Sequence, residues 1–438
     1  MIFLRKVFIS LVLIVLSTPA FSNLTIEITE GAQGALPIAI VPFKWSGSPA
    51  GLPAHDVSEV IRNDLQRSGR FNPLPVASML AKPGSGDEID FRDWRALQME
   101  NIVVGQVQPN GSGGYLIRFQ LFDVYRGEQI TGYSVPTTAA DLRSSAHSIA
   151  DIIYETLTGE PGAFATSIAY VTSEGKGENQ RIQLKIADAD GYNPQTIVSS
   201  KEPIMSPSWS PDGSKLAYVS FEKSQPSIFV QEVFTGKRDK VSAFKGINGA
   251  PVFSPDGRYL AMTLSKGGNP DIYIMELRTR KLRQLTSHWA IDTEPAWSPD
   301  GQELVFTSDR GGKPQIYKIP VTGGKEQRVT FDGDYNAKAS YSPDGKSLTL
   351  VTRINGNYRI GILDLASAQL RILSTGSLDE SPSFAPNGSM IIYATTYKGK
   401  AELSAVSFDG RVKQRLALQT GDVREPVWSP YKNRKRSR

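Results

Sequence analysis

The sequence contains no cysteine and only three histidines among its 438 residues. Without cysteine there are no disulfide bridges, no thiol nucleophile and no cysteine-ligated metal site, so buried apolar cores must stabilise the fold. The histidines are His55, His147 and His288, and none has the spacing of a metal-binding pair. We interpret each as a surface or half-buried side chain, and we predict no cofactor and no metal site.

Long apolar runs are also scarce, and the single one lies near the N terminus. Residues 7–16 ("VFISLVLIVL") follow the basic pair Arg5 and Lys6 and precede a small-x-small cleavage pattern that ends at Ser22. The run is shorter than the ~20 residues of a membrane-spanning helix. We predict a signal peptide over residues 1–22 and a mature chain outside the cytoplasm without direct membrane insertion; an uncleaved anchor is the alternative.

Basic charge is missing from the body of the chain. The net charge is +5, but two basic residues lie near the N terminus and five lie in the last seven positions. A nucleic-acid-binding protein needs its basic residues on a folded face, so we predict no nucleic-acid partner. The basic C-terminal tail, residues 432–438, fits either a solvated terminus or a segment that contacts an anionic surface.

A regular repeat occupies the second part of the sequence. An aromatic residue followed by Ser-Pro-Asp-Gly, or by a degenerate copy, recurs at intervals of 43 or 44 residues. The aromatic positions are Trp209, Phe253, Trp297, Tyr341, Phe384 and Trp428. Three further strand-like segments with turn residues between them follow each of the first five copies. Four short strands in about 40–45 residues are typical of one blade of a β-propeller.

The two ends of the repeat complement each other. Three strand-like segments begin at Ser167 without an aromatic strand before them, and the aromatic strand at Trp428 has no strands after it. If the last strand pairs with the first set, no half-built blade is left with an open edge. We therefore predict a six-bladed β-propeller over residues 161–431, each blade having four antiparallel strands, with the C-terminal strand closing the ring.

The motif itself has a structural explanation. Pro-Asp-Gly favours a tight turn, and the aromatic ring before it can pack between neighbouring blades. A proline stands two residues before the aromatic in five copies, at Pro207, Pro251, Pro295, Pro382 and Pro426. Proline within a sheet is confined to an edge, so we expect this strand to be innermost and to line the central channel. The pattern leaves open a cation in that channel.

Residues 35–160 show no repeat and predict a small α/β domain. Residues 36–43 and 101–109 are continuous apolar runs, which favour strands buried on both faces. Residues 55–69 and 137–159 carry apolar side chains on one helical face and end at glycine. Residues 23–34 precede this domain as a mobile tail with strand-like alternation. The tail either adds to an exposed sheet edge or forms the first strand of the small domain.

Catalytic motifs are absent from the sequence. There is no Gly-x-Ser-x-Gly nucleophile elbow and no glycine-rich phosphate loop. Asp188 and Asp190 precede Gly191 in a segment that resembles a calcium loop, but it lacks the third ligand position and the distant glutamate. We interpret this segment as a hairpin turn. The protein is predicted not to be an enzyme; a periplasmic propeller hydrolase or a small-ligand-binding protein is the alternative.

The six loops that precede the aromatic strands vary in sequence and open onto one mouth of the channel. Varied loops on a rigid scaffold favour a recognition surface. Six carboxylates in or beside these loops predict an acidic rim around the mouth, and three apolar residues are candidate anchors for a partner. The alternative is that the loops are solvated and bind no partner. The acidic residues are Asp292, Glu294, Asp379, Glu380, Asp422 and Glu425, and the anchors are Met205, Ile247 and Leu378.

The whole sequence resembles the TolB family, the periplasmic component of the Tol-Pal system of Gram-negative bacteria. The likeness is most specific in residues 40–47 ("IVPFKWSG") and 101–110 ("NIVVGQVQPN"), and it extends through residues 205–222 and 378–393 to the ending "VWSPY". The resemblance implies a periplasmic, non-enzymatic interaction scaffold, expected to be monomeric. It also implies a role in outer-membrane integrity and in constriction at cell division.

The resemblance further implies two partners. The lipoprotein Pal would bind at a mouth of the propeller, and the C-terminal domain of TolA would bind the N-terminal tail. Family positions and rim residues together give the Pal set: Met205, Ile247, Asn248, Gly249, Ala250, Asp292, Thr293, Glu294, Leu378, Asp379 and Glu380. The TolA set is Asn23, Leu24, Thr25, Ile26, Glu27, Ile28, Thr29 and Glu30. Family members often have histidine where Ile247 stands, so this contact is expected to be apolar here.

Overall fold

The computed structural model describes residues 25–30, 34–48, 51–111, 113–417 and 421–432. The predicted signal peptide, tail residues Asn23 and Leu24, and residues 433–438 of the basic tail lie outside the described residues. Over the described ranges, none of the helices combines the length and the apolar character needed to cross a membrane.

The N-terminal domain is a mixed sheet with helices on both faces, which confirms the predicted α/β domain. Its elements are β2 (Leu36–Ile40), β3 (Lys44–Trp45), α1 (Val57–Arg67), β4 (Phe71–Pro73), α2 (Phe91–Ala96), β5 (Asn101–Pro109), β6 (Tyr115–Asp123), β7 (Glu128–Thr137) and α3 (Leu142–Thr158). The strand order is β4-β2-β5-β6-β7, with β3 also beside β5. Alternate residues of β2 and β5 face the two sides, so one core lies under α1 and α3 and a second lies under α2.

Local sequence signals fix the two long helices. Asp56 caps α1, because its side chain accepts hydrogen bonds from the backbone N–H groups of Ser58 and Glu59. Gly159 ends α3 in the left-handed conformation, with φ of 76°. Gly69 follows α1 with φ of 70°, and a Cβ atom there would collide with the Val412 side chain of the propeller. The end of α1 can therefore approach the propeller closely only because this residue is glycine.

The remaining strands form six four-stranded antiparallel sheets, which confirms the predicted propeller. Blade 1 contains β8 (Ser167–Glu174), β9 (Arg181–Asp188), β10 (Gln195–Ser200) and β31 (Asp422–Trp428). Blade 2 contains β11 (Ile204–Trp209), β12 (Lys215–Ser220), β13 (Ser227–Glu232) and β14 (Arg238–Ser242). Blade 3 contains β15 (Asn248–Phe253), β16 (Tyr259–Leu264), β17 (Asp271–Glu276) and β18 (Leu282–Gln284).

The other three blades repeat this arrangement. Blade 4 contains β19 (Asp292–Trp297), β20 (Glu303–Ser308), β21 (Gln315–Pro320) and β22 (Gln327–Arg328). Blade 5 contains β23 (Asn336–Tyr341), β24 (Ser347–Ile354), β25 (Asn357–Asp364) and β26 (Leu370–Ile372). Blade 6 contains β27 (Glu380–Phe384), β28 (Met390–Tyr397), β29 (Lys400–Ser407) and β30 (Lys413–Ala417). The first strand of each of blades 2–6, and β31 in blade 1, contact one another in a closed ring.

The C-terminal strand closes the ring as predicted. β31 pairs antiparallel with β8, with Trp428 opposite Ile168. Beyond the strand, the Ser429 N–H donates to the Ser167 carbonyl at 2.8 Å. The Trp428 indole N–H donates to Thr166 Oγ1 at 2.8 Å. Blade 1 is therefore assembled from the two ends of the propeller sequence.

The repeated motif forms a turn and an inter-blade contact. In the four full copies, the serine hydroxyl donates to Oδ1 of the motif aspartate at 2.6 Å, as Ser298 does to Asp300. The glycine that follows takes a positive φ between 69° and 72°. The indole N–H of Trp297 donates to the Val252 carbonyl of the preceding blade at 3.2 Å. These side chains shape the turns and join the blades, so the motif has a structural role.

The N-terminal tail adds to the edge of the propeller. β1 (Thr25–Glu30) pairs antiparallel with β30, so that blade 6 becomes a five-stranded sheet. In this register Thr25 lies opposite Ala417 and Ile28 lies opposite Gln414. The alternative, a first strand of the small domain, is therefore wrong. The tail is thus docked on the outer edge of blade 6 of the same chain.

Candidate functional site

The loops that enter the innermost strands lie at the end of the propeller away from the α/β domain. That domain contacts the opposite end, where Asn387 in the motif turn of blade 6 donates to the Pro161 carbonyl at 2.9 Å. Arg67 Nη1 reaches the Ala189 carbonyl in the β9–β10 turn at 3.2 Å. We call the free end, formed by the loops before β11, β15, β19, β23, β27 and β31, the mouth. It is the candidate functional site.

Polar residues at the start of the innermost strands are buried, not exposed. Asn248, Asp292 and Asp379 are each 1% exposed or less. The Asn248 Oδ1 accepts from the Ser242 hydroxyl at 2.6 Å and from the Phe244 N–H at 2.9 Å. Asn248 therefore holds the loop between blades 2 and 3, and its place in the Pal set stays a prediction.

The two aspartates are also satisfied inside the protein. Both carboxylate oxygens of Asp292 accept hydrogen bonds from Arg310 Nη2, at 2.9 and 2.8 Å. Asp379 accepts from the Gly376 N–H at 3.0 Å and from the Thr395 hydroxyl at 2.5 Å. The predicted acidic rim is therefore wrong at these two positions, because their carboxylates are fully paired and shape the loops beside them.

The Asp292–Arg310 pair predicts a large stability effect. Arg310→Met would leave the buried Asp292 carboxylate without its partner, and breaking a buried pair costs about 3–5 kcal/mol. We expect the free energy of unfolding, measured by urea denaturation, to fall by that amount. Lys313→Met is the matched control, because Lys313 lies in the same hairpin in an exposed pair with Asp334, and such pairs contribute about 0–1 kcal/mol. Equal losses in the two variants would contradict the assignment.

A ring of left-handed residues lies just inside the mouth. The residue three positions before each aromatic has a positive φ, between 45° and 56°, although none is glycine. A β-bulge accompanies it in all six innermost strands. The residues are Ser206, Ala250, Glu294, Lys338, Ser381 and Glu425. This conformation costs roughly 1–2 kcal/mol per residue, so the surrounding structure must hold it in place.

Charged members of this ring bind one another across the channel wall. Glu294 Oε2 accepts from the Thr307 hydroxyl at 2.9 Å and from the Lys338 N–H at 3.0 Å. Lys338 Nζ donates to the Ser381 hydroxyl at 2.7 Å and lies 3.7 Å from Glu425 Oε2. Burial lowers the pKa of Lys338, but the nearby carboxylates outweigh it and raise the pKa above its usual value. Lys338 therefore places a fixed positive charge among the channel glutamates.

The exposed side chains of the mouth include large apolar ones beside charged residues such as Lys245, Asp332 and Asp422. Met205, Ile247 and Leu378, the predicted anchors, are between 41% and 46% exposed. Sequence reasoning missed Trp289 and Phe331, which are 76% and 69% exposed on the neighbouring loops. An aromatic side chain in a polar loop just before an innermost strand is the signal that could have identified both. The mouth is thus more aromatic than predicted, and Asp422 is exposed there as predicted.

Other predicted contact residues are partly accessible. Gly249, Ala250, Thr293, Glu294 and Glu380 are all half-buried at the mouth. The tail residues Thr25, Ile26, Glu27, Ile28, Thr29 and Glu30 form β1, far in sequence from the mouth loops and paired with the outermost strand of blade 6. The two predicted sets thus lie on different strands, one on β1 at the outer edge of blade 6 and the other along the innermost strands and the loops before them.

One group of side chains could hold a metal by distance alone. Within the described ranges, ligand atoms of Asp64, His147 and Asp190 lie close enough together. Arg67 donates to Asp64 at 3.0 Å, and Arg143 forms an ion pair with Asp190, so protein cations already occupy these carboxylates. We assign no metal to this group.

The histidine prediction holds for two of the three residues. His55 and His288 are half-buried, as predicted. His147 is only 1% exposed, so its predicted surface or half-buried position is wrong. It lies on the face of α3 that packs against α1, with Nδ1 2.6 Å from Asp64 Oδ2. A carboxylate partner on another helix makes this burial possible.

A large groove lies away from the mouth. It has a volume of about 740 Å³ between blades 3 and 4, and Tyr259, Lys281 and Trp297 contribute to its lining. A smaller groove of about 310 Å³ occupies the equivalent place between blades 2 and 3. Because the groove recurs at the motif turns of neighbouring blades, we attribute it to blade packing.

Comparison with known proteins gives matches along the chain. A TolB amino-terminal domain model matches residues 24–130, and a TolB beta propeller domain model matches residues 154–432. The Tol-Pal system protein TolB of Thioalkalivibrio sulfidiphilus is 59% identical over 434 residues, covering 98% of this chain and 100% of that protein. The protein of the same name from Nitrosococcus oceani is 62% identical over 421 residues, covering 96% of each. The crystal structure of TolB from Acinetobacter baumannii superposes with a TM-score of 0.86 at 41% identity, covering 93% of this chain and 100% of that one.

Proposed function

This chain belongs to the TolB family, and from that premise we propose that it is a non-enzymatic interaction scaffold of the Tol-Pal system in the periplasm. Pal would bind at the mouth, and the C-terminal domain of TolA would bind the N-terminal tail. Through these contacts the protein would support outer-membrane integrity and constriction at cell division. The observation that carries the proposal is a set of exposed aromatic and apolar side chains at the mouth, held on the ring at the end opposite the α/β domain.

The chemistry of the mouth supports a binding role. Trp289, Phe331, Ile247 and Leu378 are exposed on separate loops. Large apolar patches on a protein surface mark interaction sites, and tryptophan is enriched among the residues that contribute most to binding. The channel carboxylates near the mouth are paired with Lys338 and with backbone N–H groups. This pairing favours a scaffold over the alternative of a hydrolase, since groups engaged with one another are poorly placed to act on a substrate.

We propose two roles within the Pal set. Met205, Ile247, Gly249, Ala250, Thr293, Leu378 and Glu380 have accessible surface and would touch the partner. Asn248, Asp292 and Asp379 are buried and would act indirectly, by holding the loops that present those residues. Glu294 belongs to the channel wall, where it accepts the Lys338 N–H. To the direct contacts we add Trp289 and Phe331.

Trp289 provides a direct test of the mouth. Trp289→Ala should weaken Pal binding about 30-fold, because truncating a central aromatic contact costs about 2 kcal/mol or more. Its melting temperature should equal that of the wild type, since the ring is exposed. Titration calorimetry with purified Pal would measure both affinities.

Phe234→Ala is the matched control for this experiment. Phe234 is 87% exposed, but it lies in the turn between β13 and β14, at the end of the blade away from the mouth. Wild-type affinity for this variant and a loss for Trp289→Ala would support the mouth assignment. A loss confined to Phe234→Ala would place the Pal site at the other end, and failure of the wild type to bind Pal would refute the proposed function.

The docked tail supports a two-state role for the TolA site. β1 uses one edge to pair with β30, and strand addition to a partner sheet uses the same kind of backbone hydrogen bonds. We propose that TolA binds the tail after it leaves β30. Pal occupancy would couple to TolA binding if it changes how firmly β1 is docked, and the coupling must then be reciprocal.

A further inference from the structure

The contact between the two domains is polar and centres on α1, α3 and blades 1 and 6. Arg67, at the end of α1, donates to the Ala189 carbonyl in the β9–β10 turn at 3.2 Å. The side-chain amide of Gln414 in β30 donates to the Arg67 carbonyl. Arg143 of α3 forms an ion pair with Asp190 and stacks over the Tyr192 ring at 4.1 Å. The β9–β10 turn therefore receives side chains from both helices.

His147 lies between two carboxylates that belong to different domains. Its Nδ1 is 2.6 Å from Asp64 Oδ2 of α1, and its Nε2 is 3.8 Å from Asp190 Oδ2 of the β9–β10 turn. His147 and Asp64 are each 1% exposed. Nε2 makes no hydrogen bond within the 3.5 Å limit of such bonds, although it is buried. The imidazole thus lies between a carboxylate of the α/β domain and a carboxylate of the propeller turn, beside the Arg67 and Arg143 contacts.

The arrangement favours the doubly protonated imidazole. Asp64 Oδ1 accepts from Arg67 Nε at 3.0 Å, and Asp64 Oδ2 lies 2.6 Å from Nδ1, so Nδ1 donates its proton to that oxygen. If the ring were neutral, the bare Nε2 would direct its lone pair at the Asp190 oxygen in a buried site. A second proton turns this repulsion into an electrostatic attraction to the Asp190 carboxylate, 3.8 Å away.

The charge around the ring leads to the same conclusion. Charged or titratable groups face the ring from each neighbouring element. The helices contribute Asp64, Arg67 and Arg143. The propeller side contributes Asp188 at the end of β9, Asp190 and Tyr192 in the β9–β10 turn with His55 behind Tyr192, and Lys432 after β31. The two carboxylates nearest the ring, those of Asp64 and Asp190, flank it on opposite sides, so an imidazolium is attracted to both.

We propose that Asp64, His147 and Asp190 form a protonation-dependent latch between the α/β domain and the propeller. With the imidazolium present, the latch holds α1 and α3 on the β9–β10 turn. Loss of the proton removes the attraction to Asp190 and loosens the domain contact. The latch is independent of which partner binds the mouth, so it stands or falls apart from the proposed function.

The direction of the pH effect follows from the site. Burial lowers the pKa of His147, but the charge and the hydrogen bond of Asp64, followed by the charge of Asp190, raise it above its ordinary value. A group whose pKa is higher in the folded state stabilises the fold fully below its unfolded pKa, about 6.5. That stabilisation is lost as the pH rises through the folded-state pKa. The latch should therefore be closed in mildly acidic conditions and open in alkaline conditions.

A single residue connects the latch to the docked tail. The Gln414 side chain binds the Arg67 carbonyl, and the Gln414 backbone pairs with Ile28 of β1. Arg67 in turn binds Asp64, one of the three latch residues. This is a contiguous chain of hydrogen bonds, so opening the latch is expected to loosen β30 and with it the docking of β1.

The protonation state can be measured directly on the wild-type protein. Nitrogen NMR of ¹⁵N-histidine-labelled full-length chain yields signals from only three histidines. We expect both ring nitrogens of His147 to show imidazolium shifts at pH about 7, above the usual pKa of histidine. A neutral ring at that pH would overturn the proposal. A shift of the Nε2 signal on adding one equivalent of Zn²⁺ would also overturn it, in favour of a metal site.

The mechanical role is tested by exchange and melting. His147→Gln is compared with the wild type and with His288→Gln, which alters a half-buried histidine at the mouth. We expect the wild type to melt higher than His147→Gln at pH about 5.5 and the gap to narrow toward pH about 9. In the wild type and in His288→Gln, the amide hydrogen exchange rates of residues 188–192 and 413–417 should rise with pH by more than the intrinsic pH dependence of the exchange chemistry. The latch would be refuted if the difference in melting temperature and the amide protection of these segments were both independent of pH. If His147→Gln does not fold, the NMR measurement on the wild type decides between the two outcomes.

Discussion

Deletion of residues 424–430 should abolish the cooperative unfolding transition of the propeller. These residues include most of β31, which pairs with β8 and contacts the innermost strands of both neighbouring blades. Without them the ring loses the Trp428 indole bond to Thr166 and the Glu425 carboxylate that accepts the Ser206 N–H at 2.6 Å. β8 would then present a long unpaired edge, which favours aggregation. Near-ultraviolet circular dichroism and thermal melting would show the loss.

The matched control is a chain that ends at Lys432. It removes the rest of the basic tail and leaves β31 and its pairing with β8 intact. This shorter deletion should melt like the wild type. If the deletion of residues 424–430 also melted like the wild type, β31 would be dispensable and the ring would not depend on closure by the C-terminal strand.

The ring was predictable because its signals are local. The Pro-Asp-Gly turn is formed by residues adjacent in sequence, and its recurrence every 43 or 44 residues counts the blades directly. The unmatched strand at Trp428 then leaves one way to avoid an open edge. The α/β domain was predictable for a similar reason, since the helical faces and glycine ends of α1 and α3 are written in short segments.

The mouth was predicted less well, because burial there depends on distant partners. Asp292 looks like a rim carboxylate in sequence, and only the fold brings Arg310, 18 positions away, against it. The left-handed backbone at Lys338 is imposed by a bulge in strand pairing, and lysine gives no sign of it. His147 was misjudged for the same reason, as the carboxylate that makes its burial possible lies 83 positions away.

The tail shows where local pattern stops being informative. Alternation predicted a strand within residues 23–34, and the structure has one at residues 25–30. The identity of its partner depends on where the α/β domain sits on the propeller, because that position decides which sheet edge the tail can reach. No short segment carries that information, so both alternatives fitted the sequence equally.

Deletion of residues 23–34 should abolish TolA binding and leave Pal affinity at the mouth largely intact. The tail is the proposed TolA site, whereas the exposed mouth residues lie on loops that β1 does not pair with. Titration calorimetry against each purified partner would measure the two affinities. Wild-type TolA binding by the deleted chain would remove the tail from the proposed function.

A reducible disulfide between β1 and β30 can test whether TolA binds the docked tail or the released tail. The chain has no cysteine, so Thr25→Cys with Ala417→Cys creates one possible disulfide, between residues that face each other in the β1–β30 pairing. If TolA needs the released tail, the oxidised protein should not bind it and reduction should restore binding, while Thr25→Cys alone binds in both states. Equal TolA affinity in the oxidised and reduced forms would mean that the docked tail is itself the binding form, with TolA adding to the outer edge of β1.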